Sequence, residues 1–126
     1  SKKKRVILNI SSDLGVIAPN QSIYKNKKKE NFKPVSYSVI KHGIIGLTKY
    51  TSTFWIKKNI RCNAVAFGGV YNKQKKAFVK KISKLIPMGR MAHENEYNST
   101  IIYLISDASS YMNGAVVVVD GGRTAW

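Results

Sequence analysis

The sequence predicts an α/β layered fold in which parallel strands are flanked by helices. Three short apolar runs, at residues 5–10, 60–66 and 116–119, have the composition of buried strands. The segments between them show helical periodicity and are long enough to be crossovers, and helical crossovers join parallel strands. The predicted order is therefore strand, helix, strand, two helices, strand, without an internal repeat.

The first apolar run leads directly into two serines, Ser11 and Ser12. Asp13 and Gly15 then break the pattern, so a loop begins where the strand ends. In open α/β sheets, ligands bind outside the carboxyl ends of the strands. The two serines therefore stand where chemistry is expected.

The longest helical pattern follows Pro34 and runs for about six turns, as far as Lys57 and Lys58. Asn59 is a reasonable residue at which to stop it. Gly43 and Gly46 lower its helix propensity, so we expect close packing against a partner backbone there. The pattern is formed by residues at three-to-four spacing: Val39, Ile40, Gly43, Ile44, Leu47, Tyr50, Thr51, Phe54 and Trp55.

After the second strand, Gly68 and Gly69 allow the backbone to turn and to approach a ligand closely. An amphipathic helix is predicted over residues 73–85, and another from about residue 94 to 105. The third strand ends at Asp120, which we expect to cap the turn at Gly121 and Gly122.

Composition excludes several classes of protein. The 126 residues are 44% hydrophobic, which indicates a globular chain, and no apolar run reaches the ~18 residues of a membrane span. We expect no signal peptide, because the basic start leads into only a short apolar run. The single Cys62 rules out an internal disulfide and fits a reducing, cytoplasmic compartment, and neither histidine has a partner pattern for metal binding.

The net charge of +16 suggests nucleic-acid binding, but only four of the 22 basic residues are arginine. Surfaces that clamp phosphates or read bases favour arginine, so specific nucleic-acid binding is not expected. Residues 25–33 form a charged segment with no apolar period and are predicted to be a solvated loop. The alternative is a lid that attracts an anionic substrate.

Tyr37 and Lys41 are four residues apart within the longest predicted helix, so they share one face. An ammonium near a phenol favours the phenolate, and such a pair can move protons. Alone, this spacing is also common on solvated helix faces. The surrounding motifs give it weight.

Taken together, the motifs resemble the C-terminal half of a short-chain dehydrogenase/reductase, and the likeness extends over the whole chain. The motifs are NISS (9–12), YSVIK (37–41) followed by HGIIGLTK, IRCNAVAFGGV (60–70), PMGRMA (87–92) and SDASSYMNGAVVVVDGG (106–122). The resemblance implies a partial Rossmann-like fold, the C-terminal half of a doubly wound sheet. It also implies NAD or NADP as cofactor.

The resemblance assigns roles by position. Tyr37 would be the acid/base, Lys41 would stabilise the phenolate and bind the nicotinamide ribose, and Ser12 would bind the substrate oxygen. Residues 67–70 would line the nicotinamide, through Phe67, Gly68 and the Val70 backbone. The family's long helix packs against a partner copy, which would suit Gly43 and Gly46 and predicts a homo-oligomer.

Three departures from the family pattern stand out. Residues 1–126 lack the Gly-rich turn of the dinucleotide-binding half, so we expect a single partial domain. Phe67 replaces the usual proline, which would loosen the turn. Ser12 and Tyr37 lie 25 positions apart, which is longer than usual, and the lysine-rich loop accounts for the excess.

Three hypotheses about function follow. The first is an oxidoreductase of small carbonyl or alcohol compounds, present as a fragment. Its longer loop and GVIAPNQSIY (15–24) resemble reductases of surface-sugar and flagellin-glycan pathways, which act on sugar precursors, with 3-oxoacyl reductases as the competitor. The second is a non-catalytic, self-associating module without a cofactor. Polyanion binding by the lysine loop is a third, weaker alternative.

Overall fold

A computed structural model describes residues 3–28 and 30–126. The parts of the predicted basic start and lysine loop that fall on Ser1, Lys2 and Lys29 lie outside the described residues. The described chain forms a three-stranded parallel sheet in the order β1-β2-β3, with flanking helices. The α/β layered fold is confirmed. The strands are β1 (Arg5–Ser12), β2 (Ile60–Phe67) and β3 (Val116–Val119).

The strands end in register at one edge of the sheet. Ser12 pairs with Phe67, and Phe67 pairs with Val119. Both β1 and β2 run slightly further than their apolar cores predicted, because backbone pairing continues through the residues that follow. The extension brings Ser12 and Phe67 side by side at the carboxyl edge.

The three predicted helices exist, but each is shorter than expected. They are α1 (Val35–Phe54), α2 (Lys76–Lys84) and α3 (Asn98–Ile105). After α1 the chain forms a 3₁₀ turn, Ile56–Lys58. Asn59 ends this turn with a left-handed φ of 60°.

The late starts of α2 and α3 have local causes. Before α2, Lys73 has a φ of 54°, and the Gln74 side chain accepts a hydrogen bond from the Asn72 amide, so this stretch is a turn. Before α3, the Glu96 carboxylate accepts a hydrogen bond from the His93 amide and holds residues 93–96 in a turn. Side-chain bonds of this kind compete with helix formation.

The core is centred on β2. Cys62, Ala64, Val65 and Ala66 are fully buried, together with Leu104 of α3. Cys62 is thus a packed residue, as the sequence predicted, and burial raises the pKa of its thiol. Among the described residues, no helix is both long enough and apolar enough to cross a membrane.

Helix α1 packs on β1 and β2. Most of the apolar residues that recur at three-to-four spacing along it, here called the apolar stripe, do not face the sheet. Its buried residues are Thr48 and Ser52. The expectation of close backbone packing at Gly43 and Gly46 is not met within this chain, since a Cβ at either position would meet nothing within 4 Å. The stripe residues left exposed are Val39, Ile40, Leu47, Tyr50, Phe54 and Trp55.

Candidate active site

A cleft of about 330 Å³ opens at the carboxyl ends of β1 and β2. It brings together five of the six predicted site residues from three separate parts of the chain: Ser12, Tyr37, Phe67, Gly68 and Val70. Lys41 does not line this cleft. Its Nζ lies 5.6 Å from the centre of the Tyr37 ring, so the helical spacing does put the two side chains together.

Ser11 joins the first half of α1 to the end of β1. Its hydroxyl donates to the backbone carbonyl of Lys41, at 2.9 Å. The absence of a side chain at Gly15 allows this approach, since a Cβ there would collide with Ser11 Oγ and lie 2.9 Å from the Lys41 carbonyl oxygen. Ser11 is therefore a structural residue, and Ser12 is the serine whose hydroxyl is left for the cleft.

The Ser12 hydroxyl donates to Oδ1 of Asp13, at 2.8 Å. The Leu14 amide donates to the same carboxylate oxygen and to Ser12 Oγ. Because a hydroxyl has one proton, Ser12 must release Asp13 before it can donate to a substrate oxygen. Burial raises the pKa of Asp13, partly offset by the bond from Ser12.

Tyr37 is flanked by two ammonium groups. Besides Lys41, the Nζ of Lys33 lies over the Tyr37 ring, 3.8 Å from its centre, and 5.8 Å from the centre of the Tyr24 ring. Cations are attracted to the faces of aromatic rings at such distances. Lys33 also lines the cleft.

Residues 67–70 form the opposite wall, and hydrogen bonds hold their backbone in place. The Gly68 amide donates to Val119 O, and the Tyr97 hydroxyl donates to Gly68 O at 2.6 Å. Gly69 O accepts from the Ala92 amide. The looser turn expected from Phe67 is not what the structure shows.

Val70 lies on the cleft wall, in a short parallel bridge with Ala92. In the bridge between Val70 and Ala92, it is the neighbours Gly69 and Tyr71 that bond to Ala92. The Val70 carbonyl accepts from Gln74 Nε2 at 2.9 Å, and within residues 3–28 and 30–126 its N–H has no hydrogen-bond acceptor. A free backbone donor on the cleft wall is suited to an amide oxygen.

Three charged residues of the cleft were not predicted as site residues: Asp13, Lys33 and Arg123. Burial raises the pKa of Asp13 overall, and the charge of Arg123 offsets a small part of that rise. Asp120 caps the Gly121–Gly122 turn as predicted, accepting from the Gly122 and Thr124 amides. Across the described part of the chain, no group of three or more His, Cys, Asp or Glu side chains could hold a metal ion.

A family model described as Enoyl-(Acyl carrier protein) reductase matches residues 5–124. Post-translational flagellin modification protein A of Campylobacter coli is 34% identical over 92% of this chain and 44% of its own length. The 3-oxoacyl-[acyl-carrier-protein] reductase FabG of Thermotoga maritima is 35% identical over 92% of this chain and 44% of its own. The chain thus spans less than half the length of these relatives.

Solved structures give the same picture. A short-chain dehydrogenase from Leptospira borgpetersenii with bound NAD+ superposes with a TM-score of 0.86, at 31% identity, over 94% of this chain and 44% of that one. Similar structures from other proteins contain NADP or NADH. Together with the fold, these matches identify the chain as a member of the short-chain dehydrogenase/reductase family.

Proposed function

We propose that the chain is the C-terminal, catalytic half of an NAD(P)-dependent oxidoreductase that interconverts a small alcohol and its carbonyl compound. The observation that carries the proposal is the convergence of Ser12 and Tyr37 in one cleft. They come from the end of β1 and from α1, and the wall built by residues 67–70 faces the same space.

In the proposed reaction, the Tyr37 hydroxyl donates a proton to the carbonyl oxygen during reduction and takes it back during oxidation. Lys41 stabilises the phenolate that this leaves. Ser12 donates a hydrogen bond to the substrate oxygen after leaving Asp13. The nicotinamide, when bound, supplies or accepts the hydride.

The residues of this chain would hold only the nicotinamide end of the cofactor. Phe67 and Gly68 provide its wall, the Val70 N–H a donor for the carboxamide, and Lys41 a donor for the ribose. The pyrophosphate and adenine would be bound by the N-terminal half that longer relatives possess. Neither NAD nor NADP is favoured by the residues here.

For the substrate, we propose a sugar precursor. The support is the likeness to flagellin modification protein A and the long loop between Ser12 and Tyr37. A 3-oxoacyl compound is the alternative, supported by the likeness to the Thermotoga reductase. We also propose that the protein acts in the cytoplasm as a homo-oligomer, without specific nucleic-acid or membrane partners.

The experiment is Tyr37→Phe in the protein that carries both halves. Removing the hydroxyl removes the proton donor but keeps the ring, so we expect kcat to fall by about 10² or more. Tyr111→Phe is the control, because Tyr111 is fully exposed and lies outside the cleft, and it should change kcat less than about twofold. Steady-state oxidation of NADH and NADPH with carbonyl substrates gives the readout.

The second candidate is a non-catalytic, self-associating module. The exposed apolar residues of α1 favour this hypothesis, because exposed apolar patches commonly mark protein–protein contacts. Under this hypothesis, Tyr37→Phe leaves the rate of NADH and NADPH oxidation the same as in wild type. A Tyr37→Phe protein that kept full reductase activity would show that the assigned proton donor is wrong.

A further inference from the structure

We propose that the cleft recognises its substrate through an oxyanion group, a carboxylate or a phosphate, and that Lys33 binds this group with Arg123 as a second cation. The proposal rests on the proposed function and names the class of its substrate. Such a substrate is a hydroxy or oxo compound that carries the anion a few bonds from the reacting carbon.

The position of Lys33 gives the first argument. Its Nζ lies 3.8 Å from the centre of the Tyr37 ring, inside the cleft that Ser12 also lines. An anion bound to this ammonium stands beside the carbon whose oxygen meets Tyr37. The family's acid/base pair already has its own cation in Lys41, so Lys33 is an additional positive group at the reaction site.

Lys33 is held in this position by its backbone. The Gln21 side chain accepts from the Lys33 amide at 2.8 Å and donates to the Lys33 carbonyl at 3.2 Å. Further along the same loop, Lys81 Nζ of α2 donates to the backbone carbonyl of Lys25 at 2.7 Å. The loop is thus held by the turn at Gln21 at one point and by α2 at another, and a preorganised donor loses less entropy on binding.

Among the described residues, neither Lys33 nor Arg123 forms an ion pair within 4 Å. The ion pair that the described residues do form joins Arg90 to Glu96. Lys33 is half-buried, and its observed neighbours are the faces of Tyr24 and Tyr37, which accept no strong hydrogen bond. A partly desolvated ammonium of this kind is best satisfied by an oxyanion.

The charge balance of the cleft supports an anion. Asp13 is the single acidic residue among those that line it, against Lys33 and Arg123. One Asp13 oxygen is already occupied by Ser12 and Leu14. Arg123 interacts with Asp13, and no carboxylate of the described residues pairs with the Lys33 ammonium within 4 Å.

The test measures binding of sodium succinate and of inorganic phosphate to the protein with both halves and its cofactor. Titration calorimetry at constant ionic strength compares wild type, Lys33→Met, Lys33→Arg and Lys27→Met. We expect Lys33→Met to weaken the preferred anion by about tenfold or more, and Lys33→Arg to retain most of the affinity. Preference for succinate indicates a carboxylate substrate, and preference for phosphate indicates a phosphorylated one.

Lys27→Met is the matched control, because it removes the same charge from an exposed position of the same loop. Its affinity should stay within about twofold of wild type, since screened surface charges contribute little. An equal loss in Lys27→Met and Lys33→Met would mean diffuse attraction to a basic chain and would overturn the proposal. So would unchanged affinity in Lys33→Met, or no binding of either anion.

Failure of this proposal is distinguishable from failure of the proposed reaction. Tyr37→Phe keeps the ring under Lys33, so it should lose turnover and keep anion binding. If Tyr37→Phe retained turnover while Lys33→Met lost anion binding, the acid/base assignment would fail and the anion site would stand.

Discussion

At position 67, an aromatic ring stands where the family has proline, and the turn is nonetheless held. The Phe67 ring lies nearly parallel to that of Tyr97, with 3.8 Å between centres and 16° between planes. The Tyr97 hydroxyl donates to the Gly68 carbonyl. Proline restricts a turn from within the backbone, whereas here a side chain from before α3 restricts it from outside.

Tyr97→Phe should therefore destabilise the protein by about 1 kcal/mol, because the Gly68 carbonyl loses its donor while the ring stack remains. Urea unfolding measures the change in the free energy of unfolding. Tyr111→Phe is the control, since Tyr111 is fully exposed and its hydroxyl should contribute almost nothing. Equal stability of wild type and Tyr97→Phe would contradict the role of this bond.

The same hydroxyl makes the effect depend on pH. Burial raises the pKa of Tyr97 to about 12 from a usual value of 10.0. Between these values the unfolded chain releases the proton and the folded chain keeps it, so stability falls as pH rises from 10 towards 12. The advantage of wild type over Tyr97→Phe should shrink across this window.

Site residues could be predicted from sequence only where a local motif marks them. Tyr37 and Ser12 belong to such motifs, and the structure brings both to one cleft. Lys33 could not be told from the other lysines of its loop, because its place over Tyr37 depends on the Gln21 contact from 12 residues away. The sequence pattern marks Asp13 only as the residue at which a loop begins. Its bond to Ser12 depends on the backbone conformation at the end of β1.

At the scale of elements, the junction of β1 and α1 sets the geometry of the cleft. We expect Gly15→Ala to destabilise the protein by about 1–3 kcal/mol, because the new Cβ collides with Ser11 Oγ and presses on the Lys41 carbonyl. Since this junction positions Tyr37, kcat should fall as well. Thermal unfolding and steady-state kinetics measure the two effects.

Ser11→Ala provides the control for this collision. Alone it removes one hydrogen bond and should cost about 1 kcal/mol. Combined with Gly15→Ala it also removes the obstructing oxygen, so the double variant should be more stable than the sum of the single changes predicts. Strict additivity would mean that the side chain of Ser11 is not what excludes a Cβ at position 15.

The elements themselves were predictable because buried parallel strands are continuous apolar runs, and β3 (Val116–Val119) matched to the residue. The starts of α2 and α3 were not predictable, since Gln74 and Glu96 bond to backbone amides in turns that still contain helix-compatible residues. The buried face of α1, formed by Thr48 and Ser52, could not be predicted. Periodicity locates an apolar stripe but does not say which neighbour covers it.

At the scale of the whole molecule, the β1 edge of the sheet and the apolar stripe of α1 both lack a neighbour among the described residues. The sheet edge at β1 pairs only with β2 among the described residues, and Ile7 and Ile10 are exposed there. The apolar stripe of α1 is the second surface, with Leu47 56% exposed near its centre. Exposed edges and apolar patches of this kind favour association.

We expect the stripe on α1 to mediate self-association, and Leu47→Glu to weaken it. Burying a leucine stabilises a contact by about 1.5–3 kcal/mol, so the dissociation constant should rise by about tenfold or more. Ile102→Glu is the matched control, because Ile102 is equally apolar and exposed but lies on α3. Sedimentation equilibrium measures the association of both variants.

Gly46→Ala tests the same surface in a second way. The added Cβ meets nothing within 4 Å in this chain, so a loss of association would place a partner's backbone against position 46. If Leu47→Glu and Ile102→Glu left the mass distribution equally unchanged, α1 would not be the associating surface.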